Sequence, residues 1–169
     1  GCANPEFEYP YYLPSDLWRG VINDFDHHIA VGGTVLVSNL VGSLGIKHMV
    51  WCASTMIDDR IDRRTAMPFL RQLFDKTIIG PKQRALECDV LARDNPFMAV
   101  SQYARDTLID VGGQAENFSV VPVPADHTVY KPGSPPKVGR IGTAGRASDS
   151  RKNIKLLIDA TKILIDDGN

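Results

Sequence analysis

Apolar and polar positions along this chain switch between two periods, and the switching predicts strands interleaved with helices. His28–Val31, His48–Cys52, Phe97–Val100 and Ser119–Val121 are short apolar runs of the kind that form buried strands. Between them, Thr34–Gly42, Pro81–Leu91 and Gln102–Ile109 predict helices. Arg63–Lys76 joins that set, because Met67, Phe69, Leu70, Leu73 and Phe74 fall at i, i+3, i+4 spacing. Ser15-Asp16 offers a cap for a short helix over LWRGVIND. Pro81 suits a first helical position, and Gly112-Gly113 is a stop signal. Val138–Ala144 predicts a fifth strand. Asn153–Ile165 predicts a helix with Ile154, Leu157, Ile158, Ala160, Leu164 and Ile165 on its inner face. Strand and helix in alternation predict an α/β class with a largely parallel sheet.

The first 18 residues depart from this rhythm. Phe7, Tyr9, Tyr11, Tyr12 and Trp18 stand among Pro5, Pro10 and Pro14. That proline density predicts an extended segment or loop, its rings packed on a neighbouring surface rather than stacked on a sugar. Pro132–Pro136, PGSPP, is the strongest linker signal. The expected organisation is a domain over residues 1–131, a linker over 132–137 and an incomplete strand-helix unit over 138–169. So small a unit cannot bury its apolar face alone. Its helix is expected to expose Leu157, Ala160 and Leu164, and to dock on the first domain or self-associate with a second copy.

Composition narrows the function classes. Nineteen basic against 20 acidic residues leave a net charge of -1, no field for nucleic acid. Ile29–Ile46 is charge-free over a length at the lower edge of a membrane span. Yet Gly32-Gly33, Gly42 and Gly45 interrupt it, which favours a buried strand, a turn and a helix. No transmembrane segment is therefore expected, and, because no basic stretch followed by an apolar one opens the sequence, no signal peptide is expected either. Cys2, Cys52 and Cys88 form no C-x-x-C pair, which argues for a reduced, cytoplasmic setting without disulfide or zinc.

The stretch that suggests chemistry is Thr143–Asn153, TAGRASDSRKN. A strand ending at Gly145, a polar loop and a helix start together make a phosphate site: free N–H donors, close backbone approach and cations. Arg146 supplies a guanidinium fork and Lys152 a point charge, a pair suited to a diphosphate. The competing reading is a capped helix with solvated charges around its first turn. Neither a Walker loop nor G-x-G-x-x-G is present. Asp58, Asp59 and Asp62 are expected to cap and charge a helix start, with Arg60, Arg63 and Arg64 as partners. They are not read as a metal site. His48 and His27-His28 are read as ordinary polar or partly buried histidines. No catalytic acid or base is assigned.

Three segments in order, AVSQYARDTLIDVGG, ENFSVVPVPADHTVYKP and IGTAGRASDSRKNIKLLIDATKIL, resemble the retaining nucleotide-sugar glycosyltransferases of family four, which have the GT-B fold. Val100-Ser101-Gln102-Tyr103 carries the first match. Val121-Pro122, Asp126, Tyr130 and Pro132 carry the second, and Gly145-Arg146 with Arg151-Lys152-Asn153 the third. The resemblance implies Rossmann-like parallel sheets with flanking helices in two domains across a cleft. It further implies a nucleotide-diphosphate sugar as donor substrate, an unknown acceptor, no metal and no cofactor. Gly145, Arg146 and Lys152 would bind the donor diphosphate. The setting implied is cytoplasmic, at most peripheral to the inner face of a membrane.

This sequence also departs from the family. Val123-Pro124 stands where an Asn-Gly turn is usual, and the loop after Arg146 is one residue longer. Trp51–Thr55 takes the place of a frequent histidine. The family's glycine-rich acceptor loop and paired glutamates are expected outside these 169 residues. The alternative is a non-catalytic α/β module that binds a nucleotide, a sugar phosphate or a protein partner. A sugar-nucleotide epimerase of the same architecture ranks below both.

Overall fold

The computed structural model describes residues 8–65, 67–131, 133, 135, 137–145 and 152–167. They divide into two compact units, Gly1–Val123 and Pro124–Asn169. The fold is α/β: a four-stranded parallel sheet with flanking helices.

In the first unit, Ser15 caps α1 (Asp16–Asn23) by accepting from the Trp18 N–H. Strand β1 (Ile29–Gly32) follows. The chain then turns through a 3-10 segment, Val35–Ser38, into the single turn α2 (Asn39–Gly42). A continuous helix was the expectation there. Thr34, Val35 and Val37 are β-branched and resist α geometry. Asn39 also spends its side chain on tertiary bonds, with Nδ2 donating to the Tyr12 carbonyl and Oδ1 accepting from Arg93.

Strand β2 (Met49–Cys52) leads into α3 (Met56–Thr65). The sequence placed the helix of this region at Arg63–Lys76, and the structure splits it. Thr55 Oγ1 accepts from the Asp58 N–H and starts α3 seven residues early. Pro68, at ψ 148, then enforces a break before α4 (Phe69–Phe74). From α4 the helix runs through a π-helical stretch, Asp75–Ile79, into α5 (Gly80–Leu91). Pro81 lacks the N–H that an α-helix needs there, and the wider turn absorbs the loss.

Strand β3 (Phe97–Ala99), α6 (Gln102–Asp110) and β4 (Phe118–Val120) complete the unit. Gly112 takes φ +121 as α6 ends, and Gly113 N–H returns to the Leu108 carbonyl.

The strand order is β1-β2-β3-β4, all parallel. One row of partners, Ala30, Val50, Phe97 and Phe118, points into the core. Phe97 and Phe118 stack there with centroids 4.8 Å apart. Val90 and Leu91 from α5 and Ala104 and Leu108 from α6 cover that face. The opposite row, Val31, Trp51, Met98 and Ser119, has no such layer among the described residues of this unit. Val31 is 59% exposed, and Ile29 and Met49 are about as bare. Parallel sheets are normally covered on both faces. Strands that follow one another in sequence with right-handed crossovers send every helix to one side.

The second unit holds α7 (Ile154–Asp166), capped by Asn153. Val138–Ala144, expected as a strand, is irregular: Arg140 N–H closes a turn on Lys137, and Gly139 takes φ +75. A strand needs a hydrogen-bonded neighbour, and no strand is described in this unit. No residue of α7 is fully buried, so its apolar face stands open rather than inward. Pro132, Ser134 and Pro136 of the expected linker lie outside the described residues. Among the described residues no helix is long and apolar enough to cross a membrane.

Candidate functional site

Of the three residues expected to bind a diphosphate, the structure describes two. Gly145 and Lys152 are adjacent in space: a Cβ added at Gly145 would lie 3.3 Å from Lys152 Cγ and 3.5 Å from Cδ. The glycine thus makes the surface along which the lysine stem lies, an ordinary way for lysine to cover apolar groups while its ammonium stays in water. Arg146 and the loop through Arg151 lie outside the described residues. Asn153 has φ 40 and ψ 50, left-handed values rare outside glycine and asparagine. Its Oδ1 accepts from the Leu156 N–H at 3.3 Å, so one free donor at this helix end is already satisfied. Lys155 pairs with Asp159 at 2.7 Å along the helix.

Below the helix, Ile141, Thr143, Leu157, Ile158 and Ile165 line an apolar groove of about 390 Å³. Asp126 anchors a turn in the same unit, its Oδ1 accepting from the Thr128 N–H at 2.8 Å and hydroxyl at 2.6 Å. Those bonds hold its carboxyl below the usual range.

In the first unit the chemistry gathers where parallel sheets place it, beyond the carboxyl ends of the strands. The Gly33 carbonyl after β1 receives three bonds from the chain after β2: Ala53 N–H, Ser54 N–H and Ser54 Oγ. Ser101 follows β3 and caps α6, accepting from the Ala104 N–H at 3.1 Å. Trp51 Nε1 reaches across the bare face to the Val121 carbonyl at 3.0 Å. The residues of the first family-like motif therefore fall at a strand-to-helix junction, and Ser101 works there as a cap.

Asp58 accepts from the Thr55 hydroxyl at 2.8 Å, as a helix-start carboxylate should. Arg60 and Arg64 both bond the Asp75 carboxylate, Arg64 at 3.0 Å. The side chains of Asp62 and Arg63 lie outside the description. Cys52 and Cys88 are free thiols. Burial, with the Glu87 charge adding, pushes the Cys52 thiol up to about 12. Among the described residues no group of three or more His, Cys, Asp or Glu side chains is placed to hold a metal ion.

Sequence reasoning missed Glu87 and Gln83, both fully buried on α5. Their signal was available: positions 83, 87, 90 and 91 make one helical stripe, and two of its members are polar.

Comparison with protein-family models, with curated proteins and with solved structures gave no match.

Proposed function

We propose that this chain belongs to a retaining nucleotide-sugar glycosyltransferase of GT-B type. It would supply the later part of the acceptor-side domain, the linker and the first unit of the donor-side domain. The observation that carries the reading is the ordered run of three motifs ending at Arg151-Lys152-Asn153. Two features of the structure support it. Ser101, in the first motif, caps α6 just after β3, at a strand-to-helix junction of the kind the resemblance implies. The one-sided parallel sheet is also what half of a doubly wound Rossmann-like domain looks like.

In this reading Arg146 and Lys152 hold the diphosphate of the donor. As the glycosidic bond breaks, negative charge grows on the departing phosphate oxygen, and two fixed cations stabilise it more than they stabilise the ground state. No protein proton is required at that oxygen. Gly145 leaves room for the lysine stem to lie against the backbone. The setting that accompanies this activity is cytoplasmic, with any membrane contact peripheral.

The test is titration calorimetry of the chain with UDP-, GDP- and ADP-sugars, repeated with Arg146→Ala and Lys152→Ala. Each substitution removes a charged hydrogen bond worth about 1.5–3 kcal/mol, so affinity should fall roughly ten- to hundredfold. In the enzyme, Arg146→Ala should lower activity by a similar factor. Affinity that ignores both substitutions overturns the site. Donor binding without hydrolysis or transfer favours the non-catalytic module, and no binding by any donor leaves a protein-partner role.

A further inference from the structure

Two polar side chains on α5 are each buried with an oxygen that no described residue satisfies. Gln83 and Glu87 stand one turn apart, on the stripe that carries Val90 and Leu91 into the core. Glu87 is 0% exposed and Gln83 1%. One carboxyl oxygen of Glu87, Oε1, accepts from the Met56 N–H at 2.7 Å, and Met56 is the first residue of α3. The other, Oε2, and Gln83 Oε1 have no hydrogen-bond partner among the described residues. If Glu87 is ionised, both atoms are acceptors only, and two dehydrated acceptors occupy one helix face.

A single proton removes both defects. Placed on Glu87 Oε2, it makes that atom a donor, and the orphaned acceptor one turn back is its natural partner. We propose that Glu87 carries a proton in the folded protein at neutral pH and donates it to Gln83 Oε1, so that a neutral acid, rather than a carboxylate, latches α3 to α5. This inference is independent of the donor reading.

The surroundings point the same way. From α3, Asp58 faces Glu87 and disfavours a second negative charge. From β2, Cys52 faces it as an un-ionised thiol. Arg84, on α5 itself, and the Met56 N–H favour the carboxylate. Burial outweighs them and pushes the Glu87 carboxyl up. The group binds its proton more tightly folded than unfolded. Its contribution to stability is therefore complete below the unfolded glutamate value and drains away as pH rises through the folded one. The latch holds the start of α3 beside Thr55 and Asp58, just beyond the carboxyl end of β2. Alkalinisation would loosen it there first.

Carbon-13 NMR of the full chain tests this directly. The Glu87 carboxyl carbon, assigned through bonds, should keep the shift of a neutral acid at pH 7 and titrate well above the ordinary glutamate value of about 4.3. Glu87→Gln copies the shape of the neutral acid. It should unfold at neutral pH at a denaturant midpoint no lower than the parent's, with a flatter decline toward alkaline pH. A carboxyl that titrates at or below the ordinary value overturns the proposal. The Gln83 amide would then be turned about, its NH2 donating to a carboxylate. Gln83→Met separates the two by sign: the Glu87 midpoint falls if a proton was being shared, and rises if the amide was stabilising a charge.

Discussion

Ser38 Oγ lies 2.7 Å from His48 Nε2, and both side chains are buried. The other ring nitrogen, Nδ1, faces the Ile46 carbonyl at 2.8 Å and so carries the ring proton. Nε2 is left to accept from the serine hydroxyl. A second proton on the ring would take away that acceptor and set a cation near Arg93. Burial above all, with Arg93 and His28 adding, holds the imidazole below its ordinary range; the bond to Ile46 opposes them.

The consequence is a loss of stability in acid. An unfolded histidine titrates near pH 6.5, whereas the folded His48 titrates lower. Below about 6.5 the unfolded chain takes up more protons, so stability is full above that value and declines as pH falls toward the folded one. Urea midpoints from about pH 7.5 down to about pH 5.5 should show the decline, and His48→Gln should flatten it. An equally steep decline in the variant would assign it to other groups.

Asp75 is the anchor of a buried ion cluster. It is 0% exposed and bonds Arg60, itself 3% exposed, as well as Arg64. Asp75→Ala removes the buried carboxylate that both guanidinium groups bond and should cost about 3–5 kcal/mol in chemical denaturation. Arg64→Ala, at a partly exposed site, should cost about 1 kcal/mol or less.

Gly32 closes β1 against the next turn. An added Cβ would stand 2.8 Å from both methyl groups of Val37, with no free side-chain end to swing away. Gly32→Ala should therefore destabilise by about 1–3 kcal/mol through overpacking. Pairing it with Val37→Ala removes the clash, so the double variant should recover part of the loss. Thermal melts of the four chains of that cycle measure the coupling.

The sheet offers a comparison of its own two faces. Val50 is fully buried and Val31 mostly exposed, on adjacent strands one register step apart. Val50→Thr places a hydroxyl among apolar side chains and should cost about 1–3 kcal/mol. Val31→Thr should change stability by no more than about 0.5 kcal/mol. Equal costs would mean that the second face is covered in solution.

Period and turn chemistry carried most of the fold. β1 to β4 fall within a residue or two of their apolar runs, and the caps at Ser15 and Ser101 act as their residue types require. What pattern could not carry was tertiary. The break at Pro68 came from a proline whose helical neighbours on both sides looked continuous. Phe69 and Leu70 have helical spacing yet are about three-quarters exposed, because spacing tells which residues share a face and not whether anything covers it. The failure at Val138–Ala144 has the same cause, since a strand pattern does not supply a neighbouring strand. Of the candidate diphosphate site, the closeness of Gly145 to Lys152 followed from a glycine before a helix start. The Glu87–Gln83 pair was written in the α5 stripe but hidden by the overall polarity of that helix.

Trp51 stands on the bare side of the sheet, its indole N–H tied to Val121 and its ring half-buried. The chain has only one other tryptophan, Trp18 on α1. In a Trp18→Phe background, the emission colour of Trp51 becomes a gauge of hydration on that side. A shift to shorter wavelength on adding another protein or a ligand would register contact there without any label.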